Sequence, residues 1–292
     1  MYFNLGLTGY PLEHSLSPKI HTTALEACGL EGGYSLFPIP PTNLQGLEEL
    51  LERVRNGEIT GLNVTIPHKQ NVIPLLDELT PRAETIGAVN TIFLRDGKLI
   101  GDNTDAPGFL ADLQKFLTTE APRHEEQRRG TRRHGDTKSV LILGAGGSAR
   151  AVVYALIQDC WQVTVTSRRV EQSHALVAQL SNSNSHLSTI AYHPTNLYSL
   201  FSNLSLIVNT TPLGMLPDID SSPWPADLSF PPNTVIYDLV YNPCETKLVK
   251  DARLSGLSAT TGLGMLIEQA ALSFEIWTGC NPSREALEAA VN

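Results

Sequence analysis

Residues 139–149 hold an apolar run followed at once by a glycine-rich turn. Ser139–Leu143 reads as a continuous buried strand, and Gly144-Ala145-Gly146-Gly147-Ser148-Ala149 follows it directly. The residues from Val152 to Ile157 then continue with a helical apolar pattern. A strand, a glycine turn and a helix in this order form the first part of a doubly wound α/β sheet. The pattern predicts a Rossmann-type domain.

The same turn predicts a dinucleotide cofactor, because its glycines permit close backbone approach and the helix N-terminus binds a pyrophosphate. A second strand, around Val163 and Val165, ends in Ser167-Arg168-Arg169. NAD sites usually place a carboxylate there, whereas guanidinium groups suit the 2′-phosphate of NADP. We therefore expect NADP. The alternative is that both arginines are solvated loop charges.

A heptapeptide in the N-terminal part of the chain, Asn63-Val64-Thr65-Ile66-Pro67-His68-Lys69, follows a short strand pattern. Pro67 has no N–H to donate, so the strand is expected to stop there. Lys69 would then lie at the carboxyl end of a strand, where open α/β sheets bind ligands. The lysine is a candidate general acid or base. The alternative is a solvated loop lysine.

A second polar run approaches the same edge of the predicted sheet. Gly87-Ala88-Val89-Asn90-Thr91 leads into an apolar strand, and Asp96-Gly97 marks a tight hairpin. The returning strand is expected to end at Gly101-Asp102-Asn103-Thr104-Asp105. The hairpin would bring Asn90 and Asp105 to one end of the sheet, towards Lys69.

Two helices carry further candidates. Ser17 followed by Pro18 predicts that Ser17 caps a helix running to about Cys28, whereas Ser15 has no local role. Gln269 lies on the apolar stripe of a helix from Met265 to Trp277, where a buried amide needs partners. It either satisfies the backbone or contacts a ligand. Alternating strands and helices up to Asp105 predict a mostly parallel α/β domain whose exception is the hairpin strand.

Bulk properties narrow the class of protein. A length of 292 residues suits two domains, and no apolar run is long enough for a membrane helix. A net charge of −9 argues against nucleic-acid binding. With no basic, apolar leader visible, a cytoplasmic location is expected.

The four scattered cysteines indicate neither a zinc site nor a disulfide framework, so no metal is expected. The segment 120–137, which contains a basic run, is expected to be a flexible insertion.

Taken together, the motifs resemble shikimate dehydrogenase over nearly the whole chain outside residues 120–137. The resembling runs are Gly9–His21, Asn63–Lys69, Gly87–Thr91, Gly101–Asp105, Gly144–Ala151, Asn209–Met215, Asp238–Pro243 and Gly262–Gln269. The resemblance implies a substrate domain of residues 1–105 and 262–292 and an NADP-binding Rossmann domain of residues 106–261. The C-terminal helices would return to the first domain.

The resemblance also implies roles for individual residues. Lys69 and Asp105 would be the catalytic pair in a reversible reduction of 3-dehydroshikimate to shikimate by NADPH, on the route to chorismate and the aromatic amino acids. The implied substrate-binding residues are Ser15, Ser17, Thr65, Lys69, Asn90, Asp105, Tyr241 and Gln269. The expected cofactor contacts are Gly144, Ala145, Gly146, Gly147, Ser148, Ala149, Ser167, Arg168, Arg169, Thr210, Met215 and Gly262.

Two other functions remain open from the sequence. Relatives of this family also oxidise quinate, sometimes with NAD, and a pocket rejects one added hydroxyl only weakly. A non-catalytic sensor of a shikimate-like ligand is the alternative of another class, although Lys69 and Asp105 argue against it. The only partners expected are the small-molecule substrate and the cofactor, with the chain a monomer or homodimer and bound to neither nucleic acid nor membrane.

Overall fold

The structure, a computed structural model, describes residues 1–128, 138–181 and 186–291, without the side chains of residues 120–128. Its described elements up to the gap are β1 (Tyr2–Gly9), α1 (Ser17–Ala27), β2 (Glu31–Pro38), α2 (Leu44–Arg55), β3 (Gly61–Val64), a 3₁₀ turn (Ile73–Leu75), β4 (Glu78–Leu79), α3 (Pro81–Ile86), β5 (Thr91–Arg95), β6 (Lys98–Asp102) and α4 (Asp105–Arg128). Those after it are β7 (Ser139–Leu143), α5 (Gly147–Gln158), β8 (Gln162–Thr166), α6 (Val170–Leu180), β9 (Leu187–Thr189), α7 (Pro194–Tyr198), β10 (Leu206–Asn209), β11 (Val235–Asp238), α8 (Lys247–Leu254), β12 (Ala259–Thr261), α9 (Leu263–Thr278) and α10 (Arg284–Val291).

The chain divides into two compact units. Unit 1 comprises Met1–Gly108 and Leu266–Asn292, and unit 2 comprises Phe109–Met265. The C-terminal helices therefore belong to the same unit as the N-terminal sheet. None of the described helices is long and apolar enough to cross a membrane.

Unit 1 is built on a six-stranded sheet in the order β2-β1-β3-β5-β6-β4. All neighbouring pairs are parallel except those made by β5, which runs antiparallel to β3 and β6. The β5–β6 connection is the expected tight hairpin, with positive φ at Asp96 and Gly97. The α2 helix buries Leu47, Leu50 and Val54, its i, i+3 and i+7 face, against this sheet. The fold predicted for this part of the chain is confirmed.

Unit 2 is a six-stranded sheet in the order β12-β11-β10-β7-β8-β9, and every pairing in it is parallel. Its central strands are buried on both faces and read as apolar runs, as in Val140–Leu143. The strand order reverses at β7, which lies between β10 and β8. The carboxyl end of β7 is therefore the switch point at which such sheets bind ligands.

Two boundaries differ from those expected, those of β3 and of the insertion, and α4 has a proline near its start. The β3 strand ends at Val64 rather than at Pro67, although Thr65 still donates its N–H to Thr8 at 2.9 Å. The α4 helix begins at Asp105 and includes Pro107, because proline is tolerated in a first helical turn. Residues up to 128 continue this helix, so the predicted insertion starts as helix. The remainder of the insertion, 129–137, lies outside the described residues.

The expectation of no disulfide is wrong. Cys28, just after α1, and Cys280, just after α9, form a disulfide within unit 1, with Cα atoms 6.5 Å apart. The two residues are 252 positions apart, so their spacing carried no signal that folding would bring them together. The other two cysteines, Cys160 and Cys244, are exposed and unpaired.

Candidate active site

The carboxyl edge of the unit 1 sheet carries a buried ion pair. Lys69 Nζ lies 2.6 Å from Asp105 Oδ2, and the two side chains are only 10% and 5% exposed. The loop that carries Lys69 is fixed at two points: His68 Nε2 contacts the Ile39 carbonyl at 2.7 Å, and the Lys69 carbonyl accepts the Val89 N–H at 2.7 Å. A short charge-assisted hydrogen bond in a water-poor place is strong and directional. The pair predicted from sequence is thus brought together.

Asn90 and Gln269 join this pair. Asn90 Nδ2 lies 2.9 Å from Asp105 Oδ1 and 3.2 Å from Gln269 Oε1, and Gln269 donates from Nε2 to the Leu266 carbonyl. The α9 helix approaches closely because of Gly108, where a Cβ would stand 2.8–3.0 Å from Gln269 backbone and Cβ atoms. Gln269 therefore bonds both the backbone of its own helix and the Asn90 amide, so the backbone alternative is observed and the ligand contact stays a prediction.

Topology explains the convergence. Parallel strands β1, β3 and β6 end at one edge of the sheet, and antiparallel β5 begins there. Lys69 follows β3, Asn90 immediately precedes β5, and Asp105 follows β6 as the first residue of α4. The N-terminal end of a helix favours a carboxylate, because its unpaired N–H groups carry a partial positive charge. The sheet order therefore decides which residues meet.

The serine and threonine candidates lie at the same edge by position. Thr65 follows β3, and its methyl group lies so close to Gly9 that a Cβ on Gly9 would stand 2.3 Å from it. The prediction that Ser17 caps α1 is wrong. Leu16 is the N-cap and Ser17 is the first helical residue, while the Ser15 hydroxyl accepts the Ser17 N–H at 3.3 Å. Ser15, two residues before the first helical N–H, therefore bonds the start of α1 without being its N-cap.

Sequence reasoning missed the residues that support this group. Asp102, 6% exposed at the end of β6, accepts hydrogen bonds from Thr80 at 2.6 Å and from Arg82 at 2.8 Å. Thr91 and Thr104, both fully buried, contact the amide of Asn90. Thr91 is adjacent to Asn90, and Thr104 is adjacent to Asp105. The sequence signal that could have found them was the polar character of these two runs, which fold as buried structure.

In unit 2 the glycine turn has the geometry of a phosphate-binding loop. Gly144 has φ of +118°, and a Cβ on it would stand 2.5 Å from Thr210 Oγ1. Gly146 is the N-cap of α5 and provides no side-chain cap, and a Cβ placed on it would meet nothing within 4 Å. An open approach to a helix N-terminus without a side-chain cap fits an anionic ligand such as the pyrophosphate of a dinucleotide.

The loop after β8 presents its two arginines to solvent. Arg168 and Arg169 are exposed, and the hydroxyl of Ser167 donates to the Arg169 carbonyl at 2.7 Å and contacts Ser173 Oγ at 2.6 Å. Ser167 therefore shapes this loop. Burial raises the pKa of the nearby Tyr192 phenol, and the charge of Arg168 opposes that shift. Tyr192 was not singled out from the sequence.

A buried carboxylate ties together two further loops of unit 2. Asp238 Oδ1 accepts from Asn209 Nδ2 at 2.8 Å, and Asp238 Oδ2 accepts from Thr246 Oγ1 at 2.7 Å. Burial raises the pKa of Asp238 to about 6, and these hydrogen bonds oppose the shift. The Asn209 side chain also accepts the N–H of Thr211, which shapes the turn that carries Thr210 and Met215.

The other unit 2 candidates are placed as follows. Met215 is 40% exposed. Gly262 is buried where a Cβ would stand 2.4 Å from the Leu239 carbonyl oxygen, so only glycine fits beside that backbone. Tyr241 belongs to unit 2, whereas the other substrate-binding candidates belong to unit 1. Burial raises the pKa of the Tyr241 phenol.

These features define what each unit can do chemically. Unit 1 offers an ammonium group held by a carboxylate, which is suited to transfer a proton to or from an oxygen at the end of the sheet. The Asn90 and Gln269 amides provide oriented donors and acceptors for a polar substrate. Unit 2 offers backbone N–H groups and two arginines for phosphates. Within the described residues, no group of three or more histidine, cysteine or acidic side chains is arranged to hold a metal ion.

Comparison with known proteins gives a consistent result. Residues 7–92 match the family model described as shikimate dehydrogenase substrate binding domain, and residues 262–291 match that described as shikimate 5′-dehydrogenase C-terminal domain. The chain is 41% identical to the shikimate dehydrogenase (NADP(+)) of Salinibacter ruber, over 93% of this chain and 90% of that protein.

Solved structures show the same similarity. Shikimate 5-dehydrogenase from Thermus thermophilus, in complex with NADP(H) and shikimate, is 36% identical with a TM-score of 0.81, over 99% of this chain and 98% of that one. Quinate dehydrogenase from Corynebacterium glutamicum, in complex with NAD, is 29% identical with a TM-score of 0.80, over 99% and 98% of the two chains.

Proposed function

The chain belongs to the shikimate dehydrogenase family, and we propose that it catalyses the reversible NADP-dependent reduction of 3-dehydroshikimate to shikimate. In this reaction a ketone becomes a secondary alcohol, so its carbon gains a hydride and its oxygen gains a proton. NADPH supplies the hydride. The protein must supply the proton, hold both reactants and exclude water. This step would serve the synthesis of chorismate and the aromatic amino acids.

Lys69 is the proton donor in this proposal. Its ammonium group is buried and aimed by Asp105 at 2.6 Å, so a carbonyl oxygen placed beside it would receive a proton without reorganisation of the site. In the reverse direction the neutral amine would accept the proton from the alcohol. Asp105 remains a carboxylate that orients Lys69 and accepts a hydrogen bond from a substrate hydroxyl. Asn90 keeps Asp105 in place at 2.9 Å.

The remaining substrate contacts are also proposals. Ser15 and Ser17, at the start of α1, would bind the substrate carboxylate, supported by the hydroxyl groups and the helix N-terminus. The ring hydroxyls would contact Thr65, Asn90 and Gln269, and Tyr241 of unit 2 would complete the set. We accordingly assign substrate binding to unit 1 and cofactor binding to unit 2.

Cofactor binding follows the geometry of unit 2. The N–H groups at the start of α5 would bind the pyrophosphate, because Gly146 leaves that end of the helix open. Arg168 and Arg169 would hold the 2′-phosphate, and their exposure leaves both guanidinium groups available to it. The turn around Thr210 and Met215 and the backbone at Gly262 would contact the nicotinamide half.

The single observation that carries the proposal is the buried Lys69–Asp105 pair linked to Asn90 and Gln269. The experiment follows the nicotinamide absorbance band with purified protein, offering shikimate or quinate with NADP or NAD in all four pairings. We expect fast reduction of NADP by shikimate. Absence of turnover in every pairing, with folded protein, contradicts the proposal and leaves a ligand sensor as the function.

A relaxed shikimate/quinate dehydrogenase is the second candidate, favoured by the similarity to the quinate dehydrogenase structure. Quinate carries one more hydroxyl than shikimate, and a pocket rejects one such group by only about 10²-fold. Comparable rates with quinate and NAD in the same assay would select this candidate over the first.

We also propose a cytoplasmic location and a protein that works as a monomer or homodimer, without nucleic-acid or membrane partners. In the cytoplasm thiol reductants keep most cysteines reduced. The location therefore implies that Cys28 and Cys280 are thiols in the cell and pair on oxidation. Alkylation of thiols in intact cells tests this: protection of both cysteines from the reagent contradicts a reducing compartment. Light scattering of the purified protein gives the oligomeric state.

A further inference from the structure

Three hydroxyl groups meet beneath the candidate active site. Ser273 Oγ lies 2.7 Å from Thr91 Oγ1 and 2.9 Å from Thr104 Oγ1, and the two threonine oxygens are 3.3 Å apart. All three residues are fully buried. They come from α9, from the start of β5 and from the segment before α4. This hydroxyl cluster therefore joins α9 to two neighbouring segments that precede it by more than 160 residues.

Ser273 uses its whole hydrogen-bonding capacity in the cluster. Besides the two threonines, its hydroxyl contacts the Gln269 carbonyl at 3.0 Å and accepts from Asn63 Nδ2 at 3.1 Å. A hydroxyl has one proton and two lone pairs, so it can bond at most three of these four neighbours at once and has no capacity left for a ligand. The role of Ser273 therefore follows from the residues that it positions.

The cluster holds the carboxamide of Asn90. Thr91 Oγ1 donates to Asn90 Oδ1 at 3.0 Å, and Asn90 Nδ2 donates to Thr104 Oγ1 at 2.9 Å. The main-chain N–H of Thr104 also donates to Asn90 Oδ1, at 2.7 Å. These contacts fix which end of the amide points at Asp105, because an oxygen there would face a carboxylate. They thereby aim Asn90 Nδ2 at Asp105 Oδ1.

We propose that Ser273 is a positioning residue for the dehydrogenase reaction: through Thr91 and Thr104 it holds Asn90, and through Asn90 it holds the Asp105 carboxylate that aims Lys69. The inference rests on the proposed function, since positioning has meaning only for a reaction. Ser273 also bonds the Gln269 carbonyl, so it sets the position of α9 relative to the same group.

Removal of the Ser273 hydroxyl should loosen the Asn90–Asp105–Lys69 group without creating a large cavity. Ser273→Ala deletes one oxygen and leaves Asn63 Nδ2 and the threonine hydroxyls short of a partner in a buried place. The threonines would then turn to other acceptors, and the Asn90 amide would lose its fixed orientation. We expect kcat to fall about tenfold, since small misplacements of reacting groups are costly in rate. The KM for NADP should stay the same, because unit 2 does not contain the cluster.

The matched control is Thr278→Val on the same helix. The Thr278 hydroxyl bonds the Phe274 carbonyl at 2.8 Å, as Ser273 bonds that of Gln269, and valine preserves its shape. We expect this control to keep the parental kcat. Ser273→Cys provides a second variant, with a thiol that is a weaker donor and acceptor in nearly the same space. Its kcat should lie between those of the parent and Ser273→Ala.

The experiment measures kcat, both KM values and the pH profile of kcat for the parent and three variants, per folded protein and well below each melting temperature. A lower kcat and a displaced pH profile for Ser273→Ala, partly restored in Ser273→Cys and absent in Thr278→Val, support the proposal. A lower melting temperature with parental kcat and profile overturns it, because the serine is then only structural. A parent without turnover refutes the proposed function itself, and the positioning role with it.

Discussion

The two units prepare for their ligands in opposite ways. In unit 1 the polar groups are side chains that already bind one another, with Lys69 10% and Asp105 5% exposed. In unit 2 they are the backbone N–H groups beside Gly146, where no side chain caps the helix, and the exposed Arg168 and Arg169. Unit 1 is preorganised for a reaction, because groups fixed in advance need no reorganisation as charge develops. Unit 2 presents donors that an anionic ligand would satisfy.

This contrast predicts that small changes in unit 1 alter rate or stability, whereas changes in unit 2 alter cofactor affinity. The largest effect should come from the disulfide that only unit 1 contains. In protein kept oxidised, replacing Cys28 and Cys280 by serine should lower the free energy of unfolding by about 5 kcal/mol, because the disulfide closes a very long loop in the unfolded chain. Denaturant unfolding measures it.

The control for that experiment is a double replacement of the exposed Cys160 and Cys244 by serine, which should leave the free energy of unfolding at the parental value. Equal stability of the two double variants would show that the Cys28–Cys280 disulfide contributes nothing. The preformed arrangement of unit 1, in contrast to unit 2, would then depend on hydrogen bonds alone.

The next effect concerns the reaction. Lys69→Ala should lower kcat about 10³-fold, since the positioned proton donor is lost, while the Kd for NADPH stays unchanged. Stopped-flow or steady-state rates and a fluorescence titration of NADPH measure the two quantities. Lys98→Ala is the control, because Lys98 is an exposed lysine paired with Glu78 on the same unit. Parental kcat in Lys69→Ala would remove Lys69 from the reaction.

In unit 2 a substitution should weaken cofactor binding and leave kcat unchanged. Arg168→Ala should raise the KM for NADP about 20-fold, as expected for the loss of a charged hydrogen bond, with kcat unchanged and the KM for NAD unaffected. Arg95→Ala, an exposed arginine of unit 1 that lies over Phe93, serves as the control. If the KM values for NADP and NAD respond equally, Arg168 is a solvated loop charge and NADP selection lies elsewhere.

The smallest expected effect is the loss of folding stability in acid, counted per pH unit. His21 of unit 1 is fully buried and stacked on Tyr34, and burial lowers its pKa to about 3, with the Asn63 side chain opposing the shift. Its folded pKa lies below the unfolded value of 6.5, so the neutral ring stabilises the fold above pH 6.5. That stability is lost as the pH falls from 6.5 towards 3, by about 1.4 kcal/mol per pH unit.

The variant His21→Phe should flatten this dependence, because phenylalanine keeps a stacked ring that takes up no proton. Denaturant unfolding at a series of pH values between about 6.5 and about 4 measures the slope. An unchanged slope in the variant would mean that other groups dominate acid unfolding. The effect should appear in the transition of unit 1, which contains Trp277 at 5.4 Å from His21, and not in that of unit 2.

Local elements were predictable because their causes are local. The hairpin at Asp96-Gly97 and the glycine turn at 144–149 follow from residues that favour those conformations in any context. The errors occurred where two local readings competed. Ser17 before Pro18 has the pattern of a cap, and only the folded loop shows that Leu16 is the N-cap.

The candidate site was predictable only as separate runs of residues. The motifs containing Lys69, Asn90 and Asp105 indicated one edge of the sheet, because the carboxyl ends of parallel strands meet there. They did not indicate the 2.6 Å contact of Lys69 with Asp105, or the amide of Gln269 beside Asn90, 179 residues away. These depend on side-chain packing between α9 and the sheet.

The sequence by itself determined the class of fold, the strand and helix pattern, the glycine turn and the residue types available for chemistry, since each is set by neighbours along the chain. The tertiary structure alone decided the pairing of Cys28 with Cys280, 252 positions apart, and the hydroxyl cluster centred on Ser273. In that cluster Ser273 lies 182 positions from Thr91 and 169 from Thr104. Such contacts form only when the burial of apolar surface has already brought the elements together.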